Sequence, residues 1–281
     1  MLRIVTDGAA DMPAGWEKEF DIQVIPINIQ FGEETYLQGV DLSNEDFYRL
    51  VEKSGKIPKT SQPSPFQFKK FYESVANIGD TILSLHVTSK LSGTFESAMT
   101  ASHELGDKFN IVPFDSYAGS AALGMMCREA RLMERAGAAA QQIIERMYRI
   151  RQEVQIVLTV DKLDYARMSG RVGTLQATLA SLLNVKPIIV LREGLLDVAE
   201  QVRTRGKALD RVLELIHARF AEDEVNVATV HARDSQSAQG LLERAREVLN
   251  FKELILTELS IAVAANLGPG TVGLIVYPSG G

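Results

Sequence analysis

Short apolar runs rich in Val and Ile recur along this chain, and most of them alternate with stretches of helical period. A strand covered on both faces reads as a near-continuous hydrophobic run, so the pattern predicts βα units around a mostly parallel sheet. The runs are Leu2 to Val5, Ile22 to Phe31, Thr81 to Val87 and Ile111 to Phe114, followed by Val154 to Val160, Val185 to Leu191, Val225 to Val230, Leu254 to Leu259 and Thr271 to Tyr277. Helices are expected in many of the gaps. SNEDFYRLVEK offers Ser43 as an N-cap with Asp46 three residues on, PSPFQFKKFYESVA carries prolines in its first turn, and SGTFESAMTASHEL starts at Ser92.

The region from Ala118 to Arg151 reads as two consecutive helices broken near Gly137. Beyond it the spacing changes to a strand, a Gly-rich loop, a short helix from Thr174 to Leu183 and a hairpin turning at Glu193-Gly194. The expectation is an N-terminal α/β domain over residues 1–155 with a mostly parallel sheet, and a C-terminal α+β domain over residues 156–281. A chain of 281 residues is long enough for each to bury its own core. The segment Ile57 to Ser64 is a candidate to cross between the two.

Several function classes fall away on composition. With 46% apolar and 23% charged residues the chain is neither disordered nor low in complexity. Its net charge is −6 and no basic run of five or more occurs, so nucleic acid is not an expected partner. The single cysteine, Cys127, lies in a helical apolar stretch and is expected to be a buried structural thiol. The chain opens on a strand containing Arg3 rather than on an apolar leader, and no window of 18 residues is apolar enough to span a bilayer, so cytoplasm is the expected location.

Catalytic motifs are sparse. GPGTVG, Gly268 to Gly273, fits the dinucleotide fingerprint G-x-G-x-x-G, but an apolar strand follows it where a helix is required. Neither a phosphate-binding G-x-x-x-x-G-K-[ST] loop nor a G-x-S-x-G elbow is present. The four histidines, His86, His103, His217 and His231, are scattered and no pair has metal-ligand spacing. His86 ends a strand, which leaves open both a hydrogen-bonded structural role and a catalytic one. The informative feature is a set of hydroxyl-rich loops: TDGAAD after the first strand, TSQPSP before a helix, HVTSKLSGT from strand into helix, and FDSYAGS likewise. Gathered at the carboxyl ends of parallel strands, beside helix starts with unpaired N–H groups, they would form a neutral anion site; singly, each hydroxyl reads as a helix cap.

TDGAADMP, TSQPSP, HVTSKLSGTFESA, DSYAGSAALG, DYARMSGRVG, VKPIIVLREGLL and NLGPGTVG together resemble, in that order, the signatures of the DegV family of bacterial fatty-acid-binding proteins. The resemblance implies a two-domain protein with a ligand tunnel at the junction, enclosing one long-chain fatty acid and no other cofactor. It further implies a carrier without turnover of its own, which presents the acyl chain to a fatty acid kinase for conversion to acyl phosphate in phospholipid synthesis, with transient membrane contact allowed. Carried over residue by residue, Thr60 and Ser61 of TSQPSP and Ser92, Gly93 and Thr94 of LSGT fall at the carboxylate. Asn266 stands where the family often has histidine, and can donate a hydrogen bond without becoming charged. Arg171 falls on the proposed kinase-facing surface, although Met168-Ser169-Gly170 replaces the usual Lys-Gly-Gly before it. Gly8 replaces a usual serine. Candidate tunnel walls are Ile27, Ile29, Met125, Leu158, Leu182 and Ile189, although ordinary core is the favoured reading of each. The alternative is a hydrolase or transferase using Ser92.

Overall fold

The computed structural model describes residues 1–161, 164–171 and 185–280. They fall into two compact units, Met1–Tyr148 with Ser260–Ala262, and Arg149–Leu259 with the chain from Val263 onward. Along the first unit run β1 (Leu2–Asp7), α1 (Trp16–Glu19), β2 (Ile22–Ile25), β3 (Asn28–Phe31), β4 (Glu34–Leu37), α2 (Asn44–Ser54), β5 (Lys59–Ser61), α3 (Pro65–Val75), β6 (Thr81–His86), α4 (Thr94–Glu104), β7 (Asn110–Asp115) and α5 (Ser120–Arg135). After α6 (Ala140–Glu153) come β8 (Gln155–Thr159), α7 (Asp164–Ser169), β9 (Lys186–Arg192), β10 (Leu195–Val202), α8 (Arg205–Phe220), β11 (Val225–His231), α9 (Ser235–Val248), β12 (Phe251–Glu258), α10 (Ile261–Leu267) and β13 (Val272–Pro278). The mixed α/β class read from the sequence is the one observed.

In the first unit a fully parallel sheet has the order β2-β1-β6-β7, and a small antiparallel sheet has the order β4-β3-β5. The expected single strand from Ile22 to Phe31 is two strands in two sheets. Pro26 explains the break, because a residue without an N–H cannot continue the ladder. The segment Ile57 to Ser64 does not cross between units; Thr60 pairs with Ile29 in the small sheet. Pro113 is tolerated in β7 because that strand is an edge.

Helices α3 and α4 cover one face of the parallel sheet, packing Phe68, Tyr72, Ala98, Ala101 and Leu105 on Val5, Ile25 and Ile82. Thr6, which alternates with Val5, points to the opposite side, beside Cys127 of α5. Ser43 caps α2 by accepting the N–H of Asp46, and Ser64 and Gln67 form a reciprocal capping box on α3. Helix α4 does not start at Ser92: its N-cap is Gly93, with no side-chain cap. In the second unit the order is β10-β9-β8-β13-β11-β12, antiparallel except for β11 with β12, and α8 and α9 pack on one face through Val212, Ile216, Leu241 and Ala245. The β9–β10 hairpin turns on Glu193 (φ 49°) and Gly194 (φ 81°), the paired positive φ values of a type I′ turn. The expected helix from Thr174 to Leu183, and with it Leu182, lies outside the described residues.

Gly124 lets α5 approach the loop after β1: a Cβ there would stand 2.3 Å from the Asp11 carbonyl oxygen and 2.6 Å from Met12 Cγ. Gly124→Ala should therefore destabilise the protein by about 1 to 3 kcal/mol, read from urea unfolding. Cys127 is wholly buried, and burial pushes its thiol up to about 12. At pH 8 the thiolate is a minute fraction, so iodoacetamide should modify Cys127 only after denaturation, as mass spectrometry of native and unfolded samples will report.

Candidate functional site

Strands β1, β6 and β7 end at Asp7, His86 and Asp115, so their following loops share the carboxyl edge of the parallel sheet. The last two loops are joined: Ser116 N–H donates to His86 O (3.1 Å), Thr88 N–H to Ala118 O (2.8 Å), and Asp115 Oδ1 accepts from Ser89 and Tyr117 N–H. Tyr117 (φ 50°) and Ser120 (φ 54°) hold left-handed conformations that side chains disfavour, a strain concentrated in this loop. Ser120 donates to Asp11 Oδ2 (2.5 Å), whose Oδ1 accepts from Ser260 N–H (2.7 Å). Beside Gly8, the Gln38 amide donates to the Gly8 carbonyl (2.7 Å) and accepts from Ala262 N–H (3.1 Å), filling the space where a Cβ on Gly8 would meet it at 3.0 Å.

TSQPSP departs from the expected arrangement, since it leaves the small antiparallel sheet rather than a parallel strand. It nevertheless reaches the same place. Gln62 lies on Gly93, where a Cβ would stand 2.9 Å from Nε2, so the TSQ and SGT segments are in contact. Asn28 Nδ2 fixes this stretch by donating to the carbonyls of Ser61 (3.4 Å) and Gln62 (3.2 Å). Thr60 is half-buried on the same face as the wholly buried Ile29, and its hydroxyl has no partner among the described residues. Ser61 is exposed. Ser92 Oγ lies 2.7 Å from the buried Thr94 Oγ1 and accepts Thr94 N–H (3.3 Å). Helices α4 and α5 begin on Gly93 and Gly119 without side-chain caps, whereas α2, α3, α8 and α9 begin on capping Ser43, Ser64, Thr204 and Asp234. Helix α1 likewise begins on Gly15 without a side-chain cap, and the starts of α4 and α5 follow the carboxyl edge of the sheet.

Asn266 and Arg171 belong to the second unit. Asn266 is half-buried in α10. Arg171 follows Gly170 (φ 69°), which ends α7 in the left-handed cap typical of glycine. The Arg171 guanidinium donates through Nη1 to Ser169 O (2.6 Å), leaving Nε and Nη2 without a partner among the described residues. Of the proposed walls, Ile27, Ile29, Met125, Leu158 and Ile189 are all buried. In GPGTVG each glycine has a packing reason: a Cβ on Gly268 would meet the Tyr165 ring at 2.6 Å, on Gly270 Asp161 Cβ at 2.6 Å, and on Gly273 both Leu158 Cδ2 and Val157 O at 2.4 Å. Strand β13 follows, so the dinucleotide fingerprint is absent in form.

The sequence reading missed a buried polar chain. Asp7 Oδ2 lies 3.0 Å from His86 Nδ1, His86 Nε2 lies 2.7 Å from Ser84 Oγ, and Ser84 Oγ lies 2.8 Å from the Tyr72 hydroxyl. All four side chains are wholly buried. The signal was present in TILSLH, where two polar residues two apart in an apolar strand share one face. His86 is thus turned toward Asp7 and Ser84 and does not pair with Ser92, and Ser84 has no surface at which to meet a substrate. Among the described residues no three His, Cys, Asp or Glu side chains are grouped to hold a metal, and no helix is long and apolar enough to cross a membrane.

The family model described as "Uncharacterised protein, DegV family" matches residues 1–279. A DegV domain-containing protein of Halalkalibacterium halodurans is 31% identical over 282 residues, 98% of each chain. Among solved structures, a DegV family protein of Thermus thermophilus described for its fatty acid binding superposes with a TM-score of 0.91 at 28% identity, over 99% of both chains. A stearic acid-binding protein of Eubacterium ventriosum does so with a TM-score of 0.89 at 25% identity, over 99% of this chain and 98% of that one. Matched almost end to end by the family model and by such relatives, this chain belongs to the DegV family.

Proposed function

We propose that the chain binds one long-chain fatty acid and presents its carboxylate to a fatty acid kinase, acting as a carrier without turnover of its own. The observation that carries this reading is the contact of the TSQ segment with the SGT turn. This contact joins the segment that carries Thr60 to the one that carries Ser92, beside a helix that starts without a side-chain cap, which supports a shared hydroxyl cluster. Thr60 and Ser92 are the principal carboxylate ligands, with Ser61, Gly93 and Thr94 around them. The described fatty acid and stearic acid binding of the Thermus thermophilus and Eubacterium ventriosum proteins supports the ligand class.

Magnitudes are consistent with such a site. A charge-assisted hydrogen bond contributes about 1.5 to 3 kcal/mol, so a few hydroxyls and backbone N–H groups can hold a carboxylate without a buried cation. About 14 methylenes at about 0.8 kcal/mol each supply on the order of 11 kcal/mol before the losses of association, provided the acyl chain lies in an apolar tunnel. The bound acid is then the only small molecule the function needs. Kinase presentation rests on the family resemblance, and Arg171 suits it: the Nε and Nη2 edge of its guanidinium, without a partner among the described residues, matches a phosphate or carboxylate in a bidentate way.

Native mass spectrometry of protein purified without added lipid should show one retained fatty acid per chain; protein that arrives empty and stays empty on titration with stearate would sink the reading. Thr60→Ala and Ser92→Ala should each weaken stearate binding by about 1.5 to 3 kcal/mol in isothermal titration, with the fold retained. Arg171→Ala should leave stearate affinity within a few-fold, yet lower acyl-phosphate formation with a fatty acid kinase at least ten-fold, about 1.4 kcal/mol, and Arg171→Lys should recover part of it. Wild-type turnover by the alanine variant would remove Arg171 from the partner-facing surface.

A further inference from the structure

The buried chain Asp7–His86–Ser84–Tyr72 joins three segments that the ligand reading requires to be mutually fixed. Asp7 closes the loop after β1 by accepting Ala9 N–H at Oδ1 (2.9 Å), and it anchors the loop after β6 by accepting Val87 N–H at Oδ2 (2.9 Å). The same Oδ2 receives His86 Nδ1. His86 Nε2 meets Ser84 Oγ and Ser84 Oγ meets the Tyr72 hydroxyl, so both ring nitrogens of His86 are engaged. Burial raises the Tyr72 phenol far above its ordinary value, which keeps that hydroxyl protonated. The hydrogen bonds therefore link α3 through β6 to β1.

Each end of this chain leads to a proposed ligand group. Tyr72 is on α3, the helix that begins immediately after TSQPSP. Its first turn is tied back to that segment, because Gln67 Nε2 donates to Asn28 Oδ1 (3.3 Å) and Asn28 holds the carbonyls of Ser61 and Gln62. Phe68, one turn before Tyr72, stands edge-on to the His86 ring with centroids 5.1 Å apart, so the same face of α3 reads the position of His86 twice. At the other end, His86 and Val87 lead into Thr88, whose carbonyl accepts Leu91 and Ser92 N–H (both 3.2 Å). We infer that Asp7, His86, Ser84 and Tyr72 are positioning residues that set the separation of the Thr60 and Ser92 hydroxyls and thereby select a carboxylate head group. This inference rests on the proposed fatty-acid reading. None of the four touches the ligand; their side chains are buried beneath the loops that do.

The test compares two ligands that share a tail and differ in the head. Tyr72→Phe removes one hydroxyl and leaves Ser84 bonded to His86; Ser84→Ala cuts the chain in its middle. Stearate and methyl stearate are titrated into wild type, both variants and Thr60→Ala, with thermal melts recorded for each. A positioning role predicts that Tyr72→Phe and Ser84→Ala weaken stearate at least five-fold while methyl stearate changes less than two-fold, the pattern Thr60→Ala should share. Should Ser84→Ala fail to fold, Tyr72→Phe decides alone. Equal weakening of both ligands means these residues serve only general core packing, and unchanged stearate affinity means they do not set the head-group geometry; either overturns the inference. If Thr60→Ala discriminates the heads and Tyr72→Phe does not, the inference fails while the ligand reading stands. If wild type binds neither ligand, both fall.

Discussion

The carboxylate of Asp7 is taken wholly out of water, and the first unit is arranged around satisfying it. An ionised carboxylate without partners in such surroundings is prohibitively unfavourable, and one left half-bonded by a shift of a neighbouring loop is nearly so. Here it meets two backbone N–H groups and an imidazole, drawn from the turn after β1 and from the end of β6. No lysine or arginine is among them. The adjacency of β1 and β6 and the start of both loops are thus fixed together, because none can move without leaving the buried carboxyl group unpaired. Hydrophobic contact between α3 and the sheet supplies the larger energy, but it is non-directional and could tolerate slips that the carboxylate does not.

Much of this was readable from residue order. The apolar runs located the strands, Ser43 with Asp46 three residues on located a helix start, and Glu193-Gly194 located a hairpin. These signals are local: a cap or a turn depends on a few consecutive residues. Pro26 shows how a local signal can be overlooked when it sits inside a strong apolar run, since Ile22 to Phe31 reads as one strand until the missing N–H is counted. The carboxylate-centred chain was not readable, because Asp7 and His86 are 79 residues apart and only the parallel pairing of β1 with β6 makes them neighbours. Thr60 and Ser92 could be singled out as hydroxyls, but the contact between their segments runs through Gln62 and Gly93, 31 residues apart, which residue order does not bring together.

Chemistry at this edge is governed by access and charge more than by the types of residue present. Ser84, His86 and Asp7 are bonded in the sequence that a hydrolase uses, yet a nucleophile buried to the last square ångström and already bonded to a phenol has no route to an ester. Ser92 sits nearer the loops but is bonded to Thr94 rather than to a base. Neutral hydroxyls and open helix N–H groups suit recognition of a carboxylate that remains unchanged, whereas bond cleavage needs a group able to take up a proton. The same reasoning separates GPGTVG from a nucleotide site: its glycines make room for Tyr165, Asp161 and Leu158, not for a pyrophosphate.

Two glutamine side chains stand over two glycines, Gln38 over Gly8 and Gln62 over Gly93, and in both cases only the terminal amide occupies the room a β-carbon would take. Neither glycine has a left-handed φ, so backbone conformation does not demand it. Volume is therefore shared between positions 30 and 31 residues apart, and the members of each pair are free to change over evolutionary time only in concert. A serine at position 8 would push the Gln38 amide aside and release the Ala262 N–H it now accepts, so a relative with serine there needs another acceptor for that group. Pairs of this kind leave a trace of covariation, and they would let divergent members of the family be sorted by how they close this edge of the sheet from position 8 and 38, or 62 and 93, alone.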